Sequence, residues 1–294
     1  MLAMSVAPGT AQIERPAGDL GNSQKSNSAK QEIGNTRPLP LSDSAAIASS
    51  DEDLAAENEL LAAANKSRAL AGVPPLRLEE SLRKAAREHA RLMVARGILD
   101  HQLAGELPLL QRIAQASALK INRAGENLAS ATCAPSANDV LMRSAPHRRN
   151  LLDDGFNVAG IAAFWSKGTL YVVQDFAHEM PSYSAQQSGE LVEQAVDDVR
   201  NQAGLPQLAQ FRPPNLDEAA CSLAKESRPN ARLLATAYDN RRIVTYTESR
   251  PEVLPAGALC ILRDPGVRHF AVGSCYARNT AYPTGTYWVA ILLY

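Results

Sequence analysis

The spacing of apolar residues predicts two amphipathic helices at the start of the folded part of the chain. One apolar stripe with helical periodicity covers residues 79–96, and another covers residues 54–71. Gly97 and Gly72 follow these stripes directly, and glycine in this position is typical of a helix C-terminus. His89 falls within the stripe of the later helix, where we expect a hydrogen-bonded core residue.

A β-hairpin is predicted further along the chain. Residues 156–165 and 169–176 are rich in apolar and β-branched side chains, and Ser166-Lys167-Gly168 separates them as a turn. Shorter helices are predicted over residues 107–118 and from Asn138 to Met142. Helices followed by a hairpin indicate an α+β unit.

Two polar motifs interrupt this pattern. Gly125-Glu126-Asn127 is expected on a turn or at the start of a strand, and Pro146 is expected to end a helix just before His147. A carboxylate and an imidazole would then stand beside turn-forming residues, with the imidazole of His101 a short distance upstream. These three side chains are the candidates for chemistry in the chain.

Composition divides the 294 residues into four parts. Residues 1–50 contain few large apolar side chains and are predicted to be a disordered leader or tether, without a clear signal-peptide pattern. A folded domain over residues 51–178 and a Pro/Ser/Gln linker over 179–187 follow. Residues 188–294 form a second domain, because a chain of this length accommodates two.

The second domain partly repeats the first. Residues 200–208 echo 68–76, 216–224 echo 82–90, 270–273 echo 156–160, and 286–293 echo 170–176. Landmarks that recur in the same order at similar separations indicate a duplicated unit.

Charge and cysteine content exclude several classes of protein. The formal net charge is -1, so nothing indicates a nucleic-acid partner, and the apolar runs are shorter than the roughly 18 residues that a transmembrane helix needs. The four cysteines are not spaced as zinc ligands. Cys260 and Cys275 fall in two predicted strands, where either a disulfide or buried free thiols would be compatible with the pattern.

A set of short motifs carries a family resemblance. In chain order they are Asn65-Lys66-Ser67-Arg68, Gly72-Val73-Pro74-Pro75-Leu76, Ala85-Ala86 with His89 and Met93, His101, Gly125-Glu126-Asn127, Ser144-Ala145-Pro146-His147-Arg148-Arg149-Asn150 and Asp175-Phe176-Ala177. Together they resemble the CAP superfamily of cysteine-rich secretory proteins, antigen 5 and plant pathogenesis-related proteins, and most closely its short bacterial branch. The match covers about residues 54–177. It implies an α-β-α sandwich of CAP type, usually in a secreted or envelope-attached protein.

The resemblance also implies a cleft with two histidines and two acidic residues that can bind a divalent metal. His101 matches the first histidine, His147 the second, and Glu126 the acid of the Gly-Glu-Asn motif. The second acid has no match, since Met142-Arg143-Ser144 stands near its expected place.

Three roles are open for His101, Glu126 and His147. Two imidazoles and a carboxylate suit zinc with an open fourth position, but the same groups can form a metal-free hydrogen-bonded cluster that rigidifies three loops. The third role is a metal-dependent hydrolase in which Glu126 is a metal ligand or general base. Asn127 and Ser144 are expected in the same cleft, mainly to orient their neighbours.

Other catalytic chemistry lacks a sequence signal. The chain has no Gly-x-Ser-x-Gly elbow, phosphate loop or dinucleotide fingerprint. We therefore expect a binding or interaction module more than an enzyme, with lipid, cell-wall material or protein as its ligand. Secretion or attachment to the cell envelope is implied by the resemblance.

The second domain is expected to be a smaller or degenerate α-β-α unit without chemistry. Nothing in it matches His101, and residues 263–268 replace the Ser-Ala-Pro-His segment. Glu248 is the nearest candidate for the Glu126 position, and His269 is displaced from the ligand position.

Overall fold

The computed structural model describes residues 3–5, 12–14, 52–227, 229–235, 237–238 and 242–294. Within the predicted leader, two short strands are described, β1 (Ala3–Ser5) and β2 (Gln12–Glu14). The rest of the prediction of a disordered leader lies outside the described residues.

The first domain is an α-β-α sandwich around a sheet that is antiparallel except for the parallel pair of β3 and β5. Its helices are α1 (Leu54–Leu70), α2 (Glu80–Arg96), α3 (Leu109–Ala116), α4 (Ala134–Arg143) and α5 (Ala145–Leu151). Its strands are β3 (Arg77–Leu78), β4 (Ile121–Ala131), β5 (Val158–Ser166) and β6 (Thr169–Glu179). With β1 they form a sheet in the order β1-β4-β6-β5-β3. Helices α1 and α4 pack on one face and α2 and α3 on the other.

The second domain repeats this architecture. Its helices are α6 (Ala185–Gln202), α7 (Leu216–Lys225), α8 (Arg232–Ala235) and α9 (Ala256–Leu262). Its strands are β7 (Ala209–Gln210), β8 (Arg242–Glu248), β9 (His269–Ala277) and β10 (Thr286–Leu293). With β2 they form a sheet in the order β2-β8-β10-β9-β7, which is the topology of the first sheet. Helices α6 and α9 pack on one face, and α7 and α8 on the other.

Buried arginines occupy the same place in both domains. Near the end of α1, Arg68 donates to the carbonyls of Pro74, Leu151, Asp153 and Phe156 at 2.7–3.0 Å. Near the end of α6, Arg200 donates to the carbonyls of Pro206, Leu262 and Asp264 at 2.9 Å. Each guanidinium therefore supplies donors to carbonyls at a helix end and in the adjoining loops, some of which are buried.

The long helices and the hairpin follow the sequence pattern. Gly97 is left-handed with φ 64° at the end of α2, and Lys167 and Gly168 form the turn of the β5–β6 hairpin with φ 49° and 78°. Helix α6 begins at Ala185, inside the predicted linker, because Ser184 and Gln187 form a capping box.

Two local predictions were wrong. Gly125-Glu126-Asn127 lies in the middle of β4 rather than at a turn. Pro146 does not end a helix before His147: it lies in the first turn of α5, and His147 is inside that helix. Proline is compatible with the first turn because the backbone N–H groups there have no partner within the helix.

The disulfide differs from the expected pairing. Cys221 of α7 is bonded to Cys275 of β9, with their Cα atoms 5.1 Å apart. Cys260 is an exposed free thiol in α9 rather than in a strand, and Cys133 is also exposed and free. The bond thus fixes a helix to the sheet beneath it.

Candidate functional site: a polar cluster between strand β4 and helix α2

The pairing of three strands places Glu126 beneath α2. Glu126 of β4 pairs with Asp175 of β6, which in turn pairs with Gly160 of β5. A Cβ added to Gly160 would lie 2.1 Å from the carbonyl carbon of Leu82, so α2 packs directly against the sheet here. Paired residues of neighbouring strands share one face of a sheet, so Glu126 and Asp175 both face α2.

The carboxylate of Glu126 is buried and held by two donors. His101 Nδ1 lies 2.8 Å from Oε1, and Arg112 Nη2 lies 2.7 Å from Oε2. Burial acts to raise the pKa of Glu126, but the hydrogen bond with His101 and the charge of Arg112 outweigh it and hold the pKa below its usual range. Glu126 is therefore an ionised acceptor, and His101 Nδ1 carries a proton.

His89 lies behind this group on α2. It is fully buried, its Nδ1 is 2.7 Å from Glu106 Oε1, and its Nε2 is 3.9 Å from Glu126 Oε2. The prediction of a hydrogen-bonded core histidine is confirmed. Arg112 Nη1 also approaches Glu106 Oε1, at 3.5 Å. Two carboxylates, one guanidinium and two imidazoles thus form a compact network that opposite charges stabilise.

Asp175 is the second acid next to Glu126. It is fully buried, and neither of its carboxyl oxygens has a hydrogen-bond donor among the described residues. Burial first, and then the neighbouring Glu126 carboxylate, raise the pKa of Asp175 well above its usual range. A protonated Asp175 beside an ionised Glu126 avoids placing two like charges in a buried space.

His147 approaches the cluster from α5. Burial, followed by the charge of His101, lowers the pKa of His147, and its buried Nδ1 has no hydrogen-bond partner among the described residues. Asn127 donates to the carbonyl of His147 at 3.0 Å, and Asn150 donates to Asn127 Oδ1 at 3.1 Å. These amides attach the start of α5 to β4.

The predicted residues are thus only partly brought together. His101 and Glu126 are in direct contact, and His147 is near enough to His101 for their charges to interact. Asn127 follows Glu126 in β4 and so faces the opposite side of the sheet. Ser144 precedes α5, and its side chain makes no capping hydrogen bond with that helix.

A three-ligand metal site does not fit this geometry. No group of three or more His, Cys, Asp or Glu side chains suited to a metal ion occurs among the described residues. Both Glu126 oxygens are already bonded, one to His101 and one to the cation of Arg112. In this arrangement Glu126 orients the imidazole of His101 instead of offering a ligand oxygen.

Four members of the cluster were not assigned to it from the sequence: His89, Glu106, Arg112 and Asp175. Asp175 carried a signal, because a carboxylate within the apolar strand 170–177 is unusual in a buried position. Glu106 and Arg112 carried none, since charged residues beside a short helix are ordinarily solvent-exposed.

In the second domain, the residues paired across the strands at the corresponding position are apolar or weakly polar. Gly273 of β9 lies against Leu216 at the start of α7, as Gly160 lies against Leu82, and it pairs with Ala290, which pairs with Thr245. Thr245, and not Glu248, therefore occupies the Glu126 position. Glu248 is the last residue of β8.

Comparison with known proteins identifies the first domain. Residues 61–176 match the model of the cysteine-rich secretory protein family, CAP. The first domain is therefore recognised as a CAP domain, and its fold is the expected α-β-α sandwich. No curated protein matches the chain.

Solved structures with similar folds include extracellular and surface proteins. An extracellular protein containing an SCP domain from Bacillus anthracis is 20% identical with a TM-score of 0.39, over 42% of this chain and 41% of its own. An outer surface protein from Borrelia burgdorferi is 19% identical with a TM-score of 0.41, over 44% of this chain and 98% of its own. Na-ASP-1 is 7% identical with a TM-score of 0.45, over 82% of this chain and 89% of its own. The chain thus spans less than half of the Bacillus protein.

No helix in the described part of the chain is long and apolar enough to cross a membrane.

Proposed function

We propose that this chain is a secreted or envelope-associated bacterial protein whose CAP domain binds a ligand at the polar cluster and does not catalyse a reaction there. The observation that carries the proposal is the double hydrogen bonding of Glu126 by His101 and Arg112. A carboxylate held by two cationic or polar donors is a poor general base, because its pKa is lowered and its lone pairs are occupied.

The surroundings of His101 support an amphipathic ligand. His101 retains 23% side-chain exposure, and its Nε2 is not used in the bond with Glu126. Ile98 and Leu99 precede it in the same loop and are 48% and 44% exposed. Neighbouring exposed apolar residues often mark interaction sites, so a lipid with a hydrogen-bonding headgroup is the class that we favour.

Co-sedimentation with phosphatidylethanolamine–phosphatidylglycerol vesicles tests the proposal. Ile98→Ser with Leu99→Ser should weaken binding roughly tenfold, as loss of a buried leucine contact does. Leu70→Ser on α1 is the matched control, since Leu70 is 83% exposed and lies on another element. His101→Ala should also weaken binding, while His269→Ala should not.

Equal binding by all four variants would contradict lipid binding at this site, and no binding by the unaltered protein would remove lipid as the ligand. Binding to insoluble cell wall that depends on His101 would keep the site but replace the ligand class.

Zinc remains a separate proposal, now for the two imidazoles of His101 and His147 with Glu126 as the orienting partner. Zinc measured in protein prepared without chelator should approach one ion per chain and fall in His147→Ala if the ion is bound there. Zinc that is absent, or unchanged in this variant, would contradict it.

We further propose that the second domain arose by duplication of the first and lost the polar cluster. The shared strand order and the equivalent contacts of Arg68 and Arg200 support this origin. Vesicle binding that is unchanged when Glu248 is replaced by Gln would agree with a second domain that has no site of its own.

A further inference from the structure

The contacts between the two domains converge on one segment of the first domain. This segment, residues 114–122, connects the end of α3 with the start of β4. Helix α3 carries Arg112, and β4 carries Glu126, so the segment joins the two elements whose side chains meet at 2.7 Å in the cluster.

Arg278, directly after β9, binds the C-terminal end of α3. Its Nη1 donates to the carbonyls of Ala114 and Ser117 at 3.0 and 2.9 Å, and its Nη2 donates to the carbonyl of Leu119 at 3.1 Å. The last carbonyls of a helix have no partner within it, and a cation there is also favoured by the helix dipole. Arg278 thus supplies these three carbonyls of the first domain with donors from the second domain.

The start of β4 is also held by groups of the second domain and of the linker. The buried Thr284 hydroxyl donates to the carbonyl of Ile121 at 3.2 Å. Lys120 Nζ donates to the carbonyl of Tyr183 and to the Tyr287 hydroxyl, and lies 4.1 Å from the centre of the Tyr276 ring. Burial lowers the pKa of Lys120, and the aromatic rings offer its cation a favourable surface.

From these contacts we infer that the second domain positions the polar cluster of the first, with Arg278 as a positioning residue that acts through α3 and Arg112. Arg112 is 7% exposed and only two residues from Ala114, so a shift of the helix end moves its guanidinium relative to Glu126. This inference rests on the proposed function only in treating the cluster as the ligand site. It gives the second domain a role although that domain lacks the cluster.

The test uses the full chain with Arg278→Met, which keeps the length of the side chain but removes its donors. Arg263→Met is the matched control, because Arg263 is an exposed residue in the same domain, outside the contacts with residues 114–122. Two quantities are measured in the absence of ligand: amide hydrogen exchange of α3 and β4, and the imidazole ¹⁵N signals of His101 and His89. We expect roughly tenfold faster exchange in α3 and displaced imidazole signals in Arg278→Met alone.

Arg278→Lys should restore part of both effects, because an ammonium can still donate to the carbonyls at the helix end. If Arg278→Met does not fold, Thr284→Val tests the same inference at β4. Unchanged imidazole signals in a variant whose α3 exchange has increased would overturn the inference, since the contact would then stabilise the interface without reaching the cluster. Because no ligand is added, this result is independent of whether vesicles bind.

Discussion

The two domains share one fold but differ in the polarity of the residues buried between sheet and helix. At the crossing of the sheet with α2, the first domain places Glu126 and Asp175 beneath His89. At the corresponding crossing, the second domain places Thr245 and Ala290 beneath α7, whose residue Leu223 is fully buried. Both domains have the same strand order and the same buried arginine, and only one of them has the polar cluster. The scaffold therefore does not require the cluster.

The domains also differ in how the helix on this face is attached. In the first domain, Arg87 of α2 is bonded to the buried Glu57 of α1 at 2.6 and 2.9 Å. In the second, Cys221 of α7 is linked covalently to Cys275 of β9. An ion-pair network and a disulfide thus serve equivalent helices, and only the disulfide depends on an oxidising compartment.

The largest expected effect on stability comes from removing the disulfide, which attaches α7 only in the second domain. Replacing Cys221 and Cys275 by Ala should destabilise the second domain by up to about 4 kcal/mol, because the bond closes a loop with a sequence separation of 54. Urea unfolding in a Trp165→Phe background reports it through Trp288, which is buried in the second domain. Hydrogen exchange in β6 should stay unchanged. Equal destabilisation of both domains would mean that they unfold as one unit.

A somewhat smaller effect tests the shared scaffold. Arg68→Met should lower the free energy of unfolding of the first domain by roughly 3 kcal/mol, since it removes the donor of four carbonyls, of which those of Leu151 and Phe156 are buried. Arg200→Met should lower that of the second domain by somewhat less, because three carbonyls are affected. Denaturant titration measures both values, with Arg263→Met as control. A neutral result for either arginine would contradict the equivalence.

The pH dependence of the free energy of unfolding of the first domain should reveal the raised pKa of Asp175. Its raised pKa in the folded state means that folding retains a proton that the unfolded chain releases above about pH 4, so stability should fall as pH rises from there towards the folded-state pKa. Each unit of difference corresponds to about 1.4 kcal/mol. Asp175→Asn should remove this loss, as measured by urea unfolding at pH 5 and pH 8. Parallel pH profiles for both proteins would mean that Asp175 is ionised in the folded state.

The smallest effect concerns Thr245, the counterpart of Glu126. Its buried hydroxyl has no hydrogen-bond partner among the described residues. Thr245→Val keeps the shape and removes this group, so it should stabilise the second domain by about 1 kcal/mol. The same unfolding assay through Trp288 measures it. Destabilisation instead would indicate that the hydroxyl is satisfied by bound water.

Local sequence predicted the elements whose signals are local. The apolar stripe and Gly97 determined α2, and the turn at Lys167-Gly168 determined the β5–β6 hairpin. The motifs around His101, Glu126 and His147 carried the family resemblance, and two of these residues, His101 and Glu126, are in direct contact in the polar cluster. The prediction that Pro146 ends a helix was wrong because proline occurs both after the end of a helix and in its first turn. Only the surrounding chain decides between the two positions.

Contacts between residues far apart in the chain decided the members of the polar cluster and the disulfide pairing. Asp175 joins Glu126 because strands β4 and β6 pair in one particular register, and Arg112 reaches the same carboxylate because α3 packs beside α2. Cys275 bonds with Cys221 and not Cys260 because α7 crosses β9 there. The sequence by itself determined the long helices and the hairpin of the scaffold, since periodicity and turn residues act over a few positions. Only the tertiary structure decided which charges meet, since a buried charge depends on partners that are far away in the chain.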